Sequence, residues 1–453
     1  MHIHILGICG TFMGGIALLA RSLGHEISGS DQNVYPPMST QLEAMGIELK
    51  NGYSERHLDP APDLVIIGNT LGRGNESVEY VMDSRLPFIS GPQWLAENVL
   101  RDRHVLAVSG THGKTTTSSI LAWLLEAGGL NPGFLIGGVA ENFGISARYG
   151  DPGYFVVEAD EYDTAFFDKR SKFIHYGART LIINNIEFDH ADIFRDISDI
   201  RREFHHLLKT VPSKGKIIIR RDDTEIANVT AMGCWTTVES FGAGQGDWTI
   251  TPQSDDFSRF QVIHKGREAG QVEWGLIGEH NAENAVAAIA AAADVGITPE
   301  QSCHALKDFR SVKRRLQKLA TINDITIYDD FAHHPTAIAA TLGALRLNVG
   351  KTRIIAVLEP RSNTMKMGVH KDTLGQSLKA ADMVFLYQGP DVKWDLTIIS
   401  KELGENCRCS KNIDEIITEI YTLSQPGDHI VFMSNGGFDD IHQRLINRLS
   451  NGS

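Results

Sequence analysis

An apolar run that leads directly into a glycine-rich turn is the feature that most restricts the possible folds of this chain. Residues 105–109 read as a buried strand, and a helical stretch continues to residue 126 after the turn Gly110-Thr111-His112-Gly113-Lys114-Thr115-Thr116. In a strand–turn–helix unit, free backbone N–H groups and the helix dipole favour a bound phosphate. The turn differs from an ordinary phosphate loop because Val108 stands where the first glycine would be. A structural turn with an incidental lysine is the alternative.

This turn predicts an ATP site. Lys114 is expected to meet the β- and γ-phosphates and Thr115 a magnesium ion. Two acidic segments follow later apolar strands: Glu158-Ala159-Asp160-Glu161-Tyr162-Asp163 and Asn185-Ile186-Glu187-Phe188-Asp189-His190. Ligands of open parallel sheets collect beyond the carboxyl ends of the strands, so both segments are expected to face the turn. Magnesium prefers oxygen ligands, which Glu158 can supply. Solvated loop charges are the alternative for each acidic residue taken singly.

A second glycine turn lies near the N-terminus, at Gly7-Ile8-Cys9-Gly10-Thr11-Phe12-Met13-Gly14-Gly15. It resembles a dinucleotide-binding fingerprint, with Cys9 in place of the second glycine, and Asp31 matches the ribose-binding acid of NAD sites. From the residues alone, NAD, a nucleotide sugar and tight packing of helix on strand all remain open.

Two polar clusters accompany later elements. His280 and Asn281 open an alanine-rich helix, where they either cap it or bind a nucleotide base. Arg314 and Arg315 either clamp a phosphoryl group or form a solvated linker pair. The segment Asp329-Asp330-Phe331-Ala332-His333-His334-Pro335 follows a strand and is predicted to be too polar for a core.

Length and charge limit the class of protein. A chain of 453 residues predicts two to four domains. Its formal net charge of -13 argues against nucleic-acid binding. The N-terminus resembles neither a signal peptide nor a membrane span, so we expect a cytoplasmic protein without membrane association. The alternation of strands and helices predicts three α/β domains, and residues 245–258 are predicted to form a surface loop.

Taken together, the phosphate turn, the two acidic segments, the Gly278-Glu279-His280-Asn281 cluster and the Tyr328 to Pro335 segment resemble the Mur ligase family over essentially the whole chain. The resemblance implies three domains: a Rossmann-like UDP-sugar domain at residues 1–103, a central P-loop-type ATPase domain at 104–312, and a Rossmann-like acceptor domain at 313–453. It favours UDP as the ligand of the first glycine turn.

The implied reaction uses ATP and Mg²⁺ to phosphorylate the lactoyl carboxylate of UDP-N-acetylmuramate, and an amine then displaces the phosphate. Two stretches resemble the members that add the cell-wall tripeptide L-alanyl-γ-D-glutamyl-meso-diaminopimelate in murein recycling: Asn33-Val34-Tyr35-Pro36-Pro37-Met38-Ser39-Thr40 and Glu359-Pro360-Arg361-Ser362-Asn363-Thr364-Met365-Lys366-Met367-Gly368. The alternatives are a UDP-N-acetylmuramate–L-alanine ligase, an NAD-dependent dehydrogenase and a non-catalytic nucleotide-binding scaffold. The oligomeric state is left open.

The resemblance also assigns site residues. The catalytic residues are Lys114, His190, Arg315 and His333. ATP contacts are Gly110, Thr111, His112, Gly113, Lys114, Thr115, Thr116, Asn185, His280, Asn281, Arg314 and Asp329. Magnesium ligands are Thr115, Glu158 and His190. UDP-sugar contacts are Gly7, Gly10, Gly14, Ser30, Asp31, Asn69 and His112. Acceptor contacts are predicted only from their places after C-terminal strands, with surface-loop residues as the alternative: Arg361, Asn363, Lys366 and Asn435.

Overall fold

The computed structural model describes residues 1–34 and 38–451. Three main sheets follow one another along the chain, each covered by helices, and we call each sheet with its helices the first, second or third unit. The predicted α/β fold class is therefore confirmed. Tyr35, Pro36 and Pro37, part of a stretch that indicates a tripeptide acceptor, lie outside the described residues.

The first unit has a five-stranded, wholly parallel sheet of order β3-β2-β1-β4-β5. The central strands β1 and β4 are buried almost throughout, as expected of a parallel sheet covered on both faces. The strands are β1 (His2–Leu6), β2 (Glu26–Asp31), β3 (Glu48–Asn51), β4 (Leu64–Ile67) and β5 (Phe88–Ser90), and the helices are α1 (Thr11–Ser22), α2 (Met38–Ala44), α3 (Glu76–Asp83) and α4 (Gly91–Leu95).

The second unit has a ten-stranded sheet and a small hairpin, β10 (Asp163–Ala165) with β11 (Asp168–Ser171). Antiparallel strands extend its parallel centre at both edges. The other strands are β6 (His104–Ser109), β7 (Gly133–Ala140), β8 (Ile145–Arg148), β9 (Tyr154–Glu158), β12 (Thr180–Ile183), β13 (Lys216–Arg220), β14 (Thr237–Gly242), β15 (Trp248–Pro252), β16 (Arg259–His264) and β17 (Arg267–Glu273). The helices are α5 (Lys114–Ala127), α6 (Ile197–Thr210), α7 (Thr224–Ala231), α8 (Glu279–Asp294) and α9 (Pro299–Ala305).

The third unit has a six-stranded sheet that is parallel except for its first edge strand. Its order is β18-β19-β23-β20-β21-β22. The strands are β18 (Gln317–Ile322), β19 (Ile325–Asp330), β20 (Ile354–Leu358), β21 (Met383–Tyr387), β22 (Cys407–Ser410) and β23 (His429–Met433). The helices are α10 (Pro335–Val349), α11 (Asn363–Lys366), α12 (Lys371–Ser377), α13 (Thr397–Leu403), α14 (Ile413–Leu423) and α15 (Ile441–Asn451).

Two expectations about local structure are wrong. Residues 245–258 are not simply a surface loop, because β15 lies within them and buries Trp248 in the core. The segment after β19 is not too polar for the interior, because Asp330 and His334 are 4% and 6% exposed. Backbone donors satisfy the Asp330 carboxylate, which accepts N–H groups of Leu316 at 2.5 Å and Ala332 at 2.7 Å.

The units contact one another through specific side chains. Helix α1 of the first unit lies against β7 and β8, and a Cβ atom at Gly15 would be 3.2 Å from Leu135. Between the second and third units, Thr364 Oγ1 donates to Asp189 Oδ1 at 2.7 Å and Asn348 donates to Asp256 at 2.9 Å. The carboxyl ends of the second sheet's strands therefore face the third unit. Within residues 1–34 and 38–451, no helix has the length and apolar character needed to cross a membrane.

Candidate active site

The predicted phosphate turn joins β6 to α5 in a conformation that requires glycine. Gly110 has a φ of 127° and Gly113 a φ of 79°, values that side chains with a Cβ atom rarely adopt. A Cβ atom at Gly113 would lie 2.6 Å from Asn284 Oδ1. Gly113 provides no side-chain cap for α5, so the N–H groups of its first turn are available to an anion.

Lys114, the first residue of α5, is surrounded by oxygen atoms. Its Nζ donates to the Gly110 carbonyl at 2.7 Å and to Glu161 Oε2 at 2.8 Å, and Asp160 Oδ1 is 3.6 Å away. Burial alone would lower the pKa of Lys114, but the Glu161 and Asp160 carboxylates raise this pKa above its ordinary value. Lys114 is therefore a permanently charged ammonium group held at the predicted phosphate site.

Thr115 and Glu158 bring two oxygen ligands together beside this ammonium group. Thr115 Oγ1 donates to Glu158 Oε1 at 2.9 Å, and Glu158 Oε2 accepts the Gly137 N–H at 2.6 Å. Burial raises the pKa of Glu158. From the third unit, Arg315 donates to Thr115 Oγ1 at 3.2 Å. A hydroxyl and a carboxylate next to a phosphate site are the oxygen donors that suit magnesium.

His190, the third predicted magnesium ligand, lies within the Lys114 network. Its Nε2 is 3.4 Å from Glu161 Oε1. Burial lowers the pKa of His190, but the hydrogen bond and charge of Glu161 outweigh burial, and the net shift is upward. The imidazole would have to leave Glu161 before it could bind a metal ion. The donor set thus fits magnesium at Thr115 and Glu158, whereas His190 is engaged elsewhere.

His112 is held by the segment that follows β12. Its backbone N–H donates to Asn185 Oδ1 at 2.8 Å, and its Nε2 lies 3.1 Å from Glu187 Oε2. The Asn185 side chain thus braces the phosphate turn, and its predicted role at the adenine stays a prediction. Glu187 also accepts a hydrogen bond from Thr336 Oγ1 of the third unit at 2.7 Å. The His334 ring lies 4.5 Å from the His112 ring, between centroids.

The remaining predicted ATP contacts lie at the junction of the second and third units. Asn281 donates to the Ile277 carbonyl at 2.7 Å in the first turn of α8. Burial, reinforced by the Arg315 charge, lowers the pKa of His280 to about 4. Arg314 donates to Asp329 Oδ2 at 3.2 Å. The Asn281–Ile277 and Arg314–Asp329 hydrogen bonds therefore stabilise the loops of the junction. The contacts of His280, Asn281, Arg314 and Asp329 with a nucleotide stay predictions.

His333 lies in the loop between β19 and α10, and its Nδ1 is 3.0 Å from the Phe331 carbonyl oxygen. Burial lowers the pKa of His333 to about 4. Its imidazole is therefore neutral at physiological pH.

The first glycine turn is tied to the end of β2. Asp31 Oδ2 accepts the Cys9 N–H and Asp31 Oδ1 accepts the Asn33 N–H, each at 2.9 Å. Gly7 has a φ of 82°, and a Cβ atom at Gly14 would lie 2.2 Å from Met38 Cε. Gly10 precedes α1 as its cap, and Asn69 follows β4. Because β1, β2 and β4 are neighbours, these predicted UDP-sugar residues lie at one edge of the sheet.

Ser30, also at this edge, lies within a hydrogen-bonded chain of histidine and serine side chains. Ser30 Oγ is 2.9 Å from His4 Nε2 and 3.0 Å from His57 Nδ1, and His4 Nδ1 is 2.8 Å from Ser28 Oγ. His4 is completely buried. Burial, with a smaller contribution from Lys50, lowers the pKa of His4 from 6.5 to about 3.

This histidine predicts a measurable acid sensitivity. Below pH 6.5 the unfolded chain takes up a proton at His4, whereas the folded chain does so only near pH 3. The stability that the buried, neutral His4 contributes is therefore fully present above pH 6.5. Each pH unit below that value lowers the free energy of unfolding by about 1.4 kcal/mol. We expect urea denaturation at pH 7 and pH 5 to show a smaller loss for His4→Gln than for the unchanged protein. The exposed His206→Gln control should match the unchanged protein; equal losses in all three would contradict the prediction.

The predicted acceptor contacts divide into two groups. Asn363 and Lys366 line an open cavity of about 490 Å³ with Asp192, Asp391 and Lys393. Arg361 lies instead beside Gly436, and its Nη1 is 3.8 Å from Glu359 Oε1. Asn435 follows Ser434 after β23, and its Oδ1 is buried without a hydrogen-bond partner. That unpaired acceptor atom is free for a donor group of a ligand.

Comparison with known proteins accounts for this arrangement. Models of the Mur ligase family catalytic domain, the Mur ligase middle domain and the Mur ligase glutamate ligase domain match residues 2–103, 108–292 and 314–436. A UDP-N-acetylmuramate–L-alanyl-γ-D-glutamyl-meso-2,6-diaminoheptandioate ligase of Escherichia coli K12 is 55% identical over 451 residues, which cover 99% of this chain and 98% of that protein. The chain belongs to the Mur ligase family.

Two further similarities distinguish branches of this family. The crystal structure of a murein peptide ligase from Psychrobacter arcticus has a TM-score of 0.78 and 46% identity, and the match covers 100% of this chain and 99% of that one. A UDP-N-acetylmuramate–L-alanine ligase of Pelotomaculum thermopropionicum is 32% identical over 464 residues, covering 99% of this chain and 97% of that protein. As a Mur ligase, the chain is an ATP-dependent enzyme that forms amide bonds.

Sequence reasoning did not select three residues that the Mur ligase fold brings into the site. Glu161 pairs with both Lys114 and His190. Glu187 connects the phosphate turn to the third unit through His112 and Thr336. His334 lies 3.5 Å from Glu187 Oε2, between Nδ1 and the carboxylate oxygen. All three belong to the segments that carry the family resemblance, so position after a strand was the available signal.

Proposed function

We propose that this Mur ligase joins L-alanyl-γ-D-glutamyl-meso-diaminopimelate to the lactoyl carboxylate of UDP-N-acetylmuramate, with ATP as the energy source. The observation that carries the proposal is 55% identity, over nearly the whole of both chains, to a ligase named for these substrates. The L-alanine ligase is a weaker match at 32% identity. The product would return a peptide released from murein to cell-wall synthesis.

The chemistry requires activation of a carboxylate that is itself a poor electrophile. Transfer of the γ-phosphoryl group of ATP gives an acyl phosphate, and the free amine of the tripeptide then attacks the acyl carbon and expels phosphate. Two anions must approach each other in the first step. Lys114 and Arg315 supply fixed positive charge where negative charge develops.

The magnesium ion would be held by Thr115 and Glu158, and it would neutralise phosphate charge when bound. The predicted ligand His190 would have to be released from Glu161. His112 and His333 would lie near the reacting carboxylate. The neutral His333 imidazole is suited to accept or donate a hydrogen bond without adding charge.

The three domains divide the substrates among them. Residues 1–103 would bind the UDP-sugar through the first glycine turn, residues 104–312 ATP, and residues 313–453 the tripeptide. The polar contacts between the second and third units support this division, because they bring Arg315 to the phosphate site. The NAD-dependent dehydrogenase interpretation lacks comparable support, since it gives no role to Lys114 and the acidic segments.

ADP release distinguishes the proposed acceptor from its alternatives. We expect purified protein with magnesium, ATP and UDP-N-acetylmuramate to release ADP rapidly with the tripeptide, because the amine removes the acyl phosphate and permits turnover. L-Alanine and no amine are expected to support little release. Release with L-alanine alone would assign the chain to the L-alanine branch. Nucleotide binding without release under any of the three conditions would favour a non-catalytic scaffold.

A further inference from the structure

Three potential metal ligands meet where the second and third units touch, apart from the Thr115–Glu158 pair. His112 comes from the phosphate turn, Glu187 from the segment after β12, and His334 from the residue before α10. One ligand atom from each side chain lies within 4.8 Å of the other two. We propose that His112, Glu187 and His334 form a binding site for a transition-metal dication of the zinc type that bridges the two units.

Two of the three separations between ligand atoms match a small tetrahedral ion, and the third is within 4.8 Å. Zinc–nitrogen and zinc–oxygen bonds of about 2.0–2.1 Å place neighbouring ligands ~3.3 Å apart at tetrahedral angles. In this structure, Glu187 Oε2 is 3.1 Å from His112 Nε2 and 3.5 Å from His334 Nδ1. The carboxylate oxygen therefore already stands at near-tetrahedral separation from both imidazoles. A fourth position would remain for water, as in other three-ligand zinc sites.

The backbone around the cluster fixes two of the ligands. The Glu187 N–H donates to Thr111 Oγ1 at 2.9 Å, and the Thr111 hydroxyl donates to the Glu187 carbonyl at 3.2 Å. The His112 N–H is held by Asn185 Oδ1 at 2.8 Å. These bonds connect the two ligand-bearing segments directly, so little ordering is needed when an ion binds.

The His334 ring is buried and has one nitrogen without a hydrogen-bond partner. Its side chain is 7% exposed, and its buried Nε2 has no hydrogen-bond partner. Its Nδ1 accepts the Thr336 N–H over a long 3.3 Å, an interaction that a metal ion would replace.

The ligand types separate this cluster from the proposed magnesium site. Two imidazoles and one carboxylate suit zinc, cobalt, nickel or copper, whereas magnesium prefers oxygen ligands. Thr115 and Glu158 provide only oxygen donors. A bound ion at the new site would join His112 and Glu187 of the second unit to His334 of the third. It would therefore favour the arrangement in which these units are in contact.

Cobalt(II) absorption provides a direct test, because a cobalt ion with four or five ligands absorbs visible light far more strongly than aqueous cobalt. We titrate the full-length, metal-free chain with cobalt chloride in the absence of substrates. The expected result is a saturable visible band at one equivalent, displaced by zinc but not by excess magnesium. Cobalt should also raise the unfolding temperature, since the ion binds the folded chain.

Variants identify the ligands. His334→Gln and Glu187→Gln should each lose at least about tenfold in cobalt affinity. Loss of a direct metal ligand should weaken binding at least as much as loss of a group that hydrogen-bonds to a ligand. His334→Cys should retain binding and add a thiolate-to-cobalt charge-transfer band. His370→Gln is the matched control: its ring packs 4.3 Å from that of His334 without belonging to the cluster, and its band should be unchanged.

Two results would overturn the site. One is the absence of a saturable band in the unchanged protein. The other is a band that persists unaltered in His334→Gln, Glu187→Gln and His334→Cys, which would place cobalt elsewhere. The metal site goes beyond the proposed ligase function. Because cobalt binding is measured without substrates, its absence would leave the prediction of tripeptide-dependent ADP release unaffected.

Discussion

Lys114→Ala is expected to abolish tripeptide-dependent ADP release, with a loss of at least ~10³-fold in kcat. The substitution removes the ammonium group that Gly110, Glu161 and Asp160 hold at the N-terminus of α5. It also removes the lysine charge that faces the Glu161 and Asp160 carboxylates, so the phosphates of ATP would meet negative charge instead of positive charge. Steady-state ADP release at saturating magnesium and ATP measures the effect.

Binding of UDP-N-acetylmuramate is the internal control for this variant. The sugar nucleotide is proposed to bind residues 1–103, so isothermal titration calorimetry should give nearly the same Kd for Lys114→Ala and the unchanged protein. The surface variant Lys169→Ala, which removes an exposed partner of Asp163, should retain normal turnover. Loss of both ligation and sugar-nucleotide binding would contradict the domain assignment. Normal turnover of Lys114→Ala would contradict the phosphate role.

Strands with apolar residues on both faces were predictable from the sequence with little error. Residues 105–109 were predicted as a buried strand, and β6 (His104–Ser109) begins one residue earlier. Its side chains are buried almost throughout, so the strand reads as one continuous apolar run. The phosphate turn was equally clear, because a strand, two glycines, a lysine and a helix follow one another without interruption. The order of residue types along short stretches of sequence therefore predicts both the fold class and the ATP site.

Contacts between units could not be predicted in the same way. Thr336 bonds to Glu187 across 149 residues of sequence, and no local pattern indicates which acidic residue it will meet. His190 was selected as a metal ligand from its motif, but in this structure its side chain contacts Glu161. That contact depends on side-chain rotamers, which the sequence does not indicate. The strand within residues 245–258 was missed because polar residues flank the short alternating pattern of β15, which contains the buried Trp248.

Arg315 provides the strongest test of cooperation between the second and third units. The residue belongs to the segment before β18, yet it donates to Thr115 Oγ1 at 3.2 Å and lies 5.1 Å from the Phe331 ring centroid. Its planar guanidinium can contact both the hydroxyl and the aromatic face, which a lysine ammonium group cannot reproduce. We expect Arg315→Lys to lower kcat by ~10²–10³-fold, as for removal of one preorganised donor.

The pattern of the kinetic constants decides what Arg315 does. Most of the ATP site, including Lys114 and the first turn of α5, remains in the second unit, so the Kd for ATP should change little in Arg315→Lys. The neighbouring Lys313→Ala, which removes an exposed side chain, should leave both constants unchanged. If Arg315→Lys instead weakens ATP binding while kcat at saturating ATP is preserved, Arg315 acts in the ground state. Loss of kcat with intact ATP binding would mean that the third unit completes the catalytic site only as the phosphoryl group is transferred.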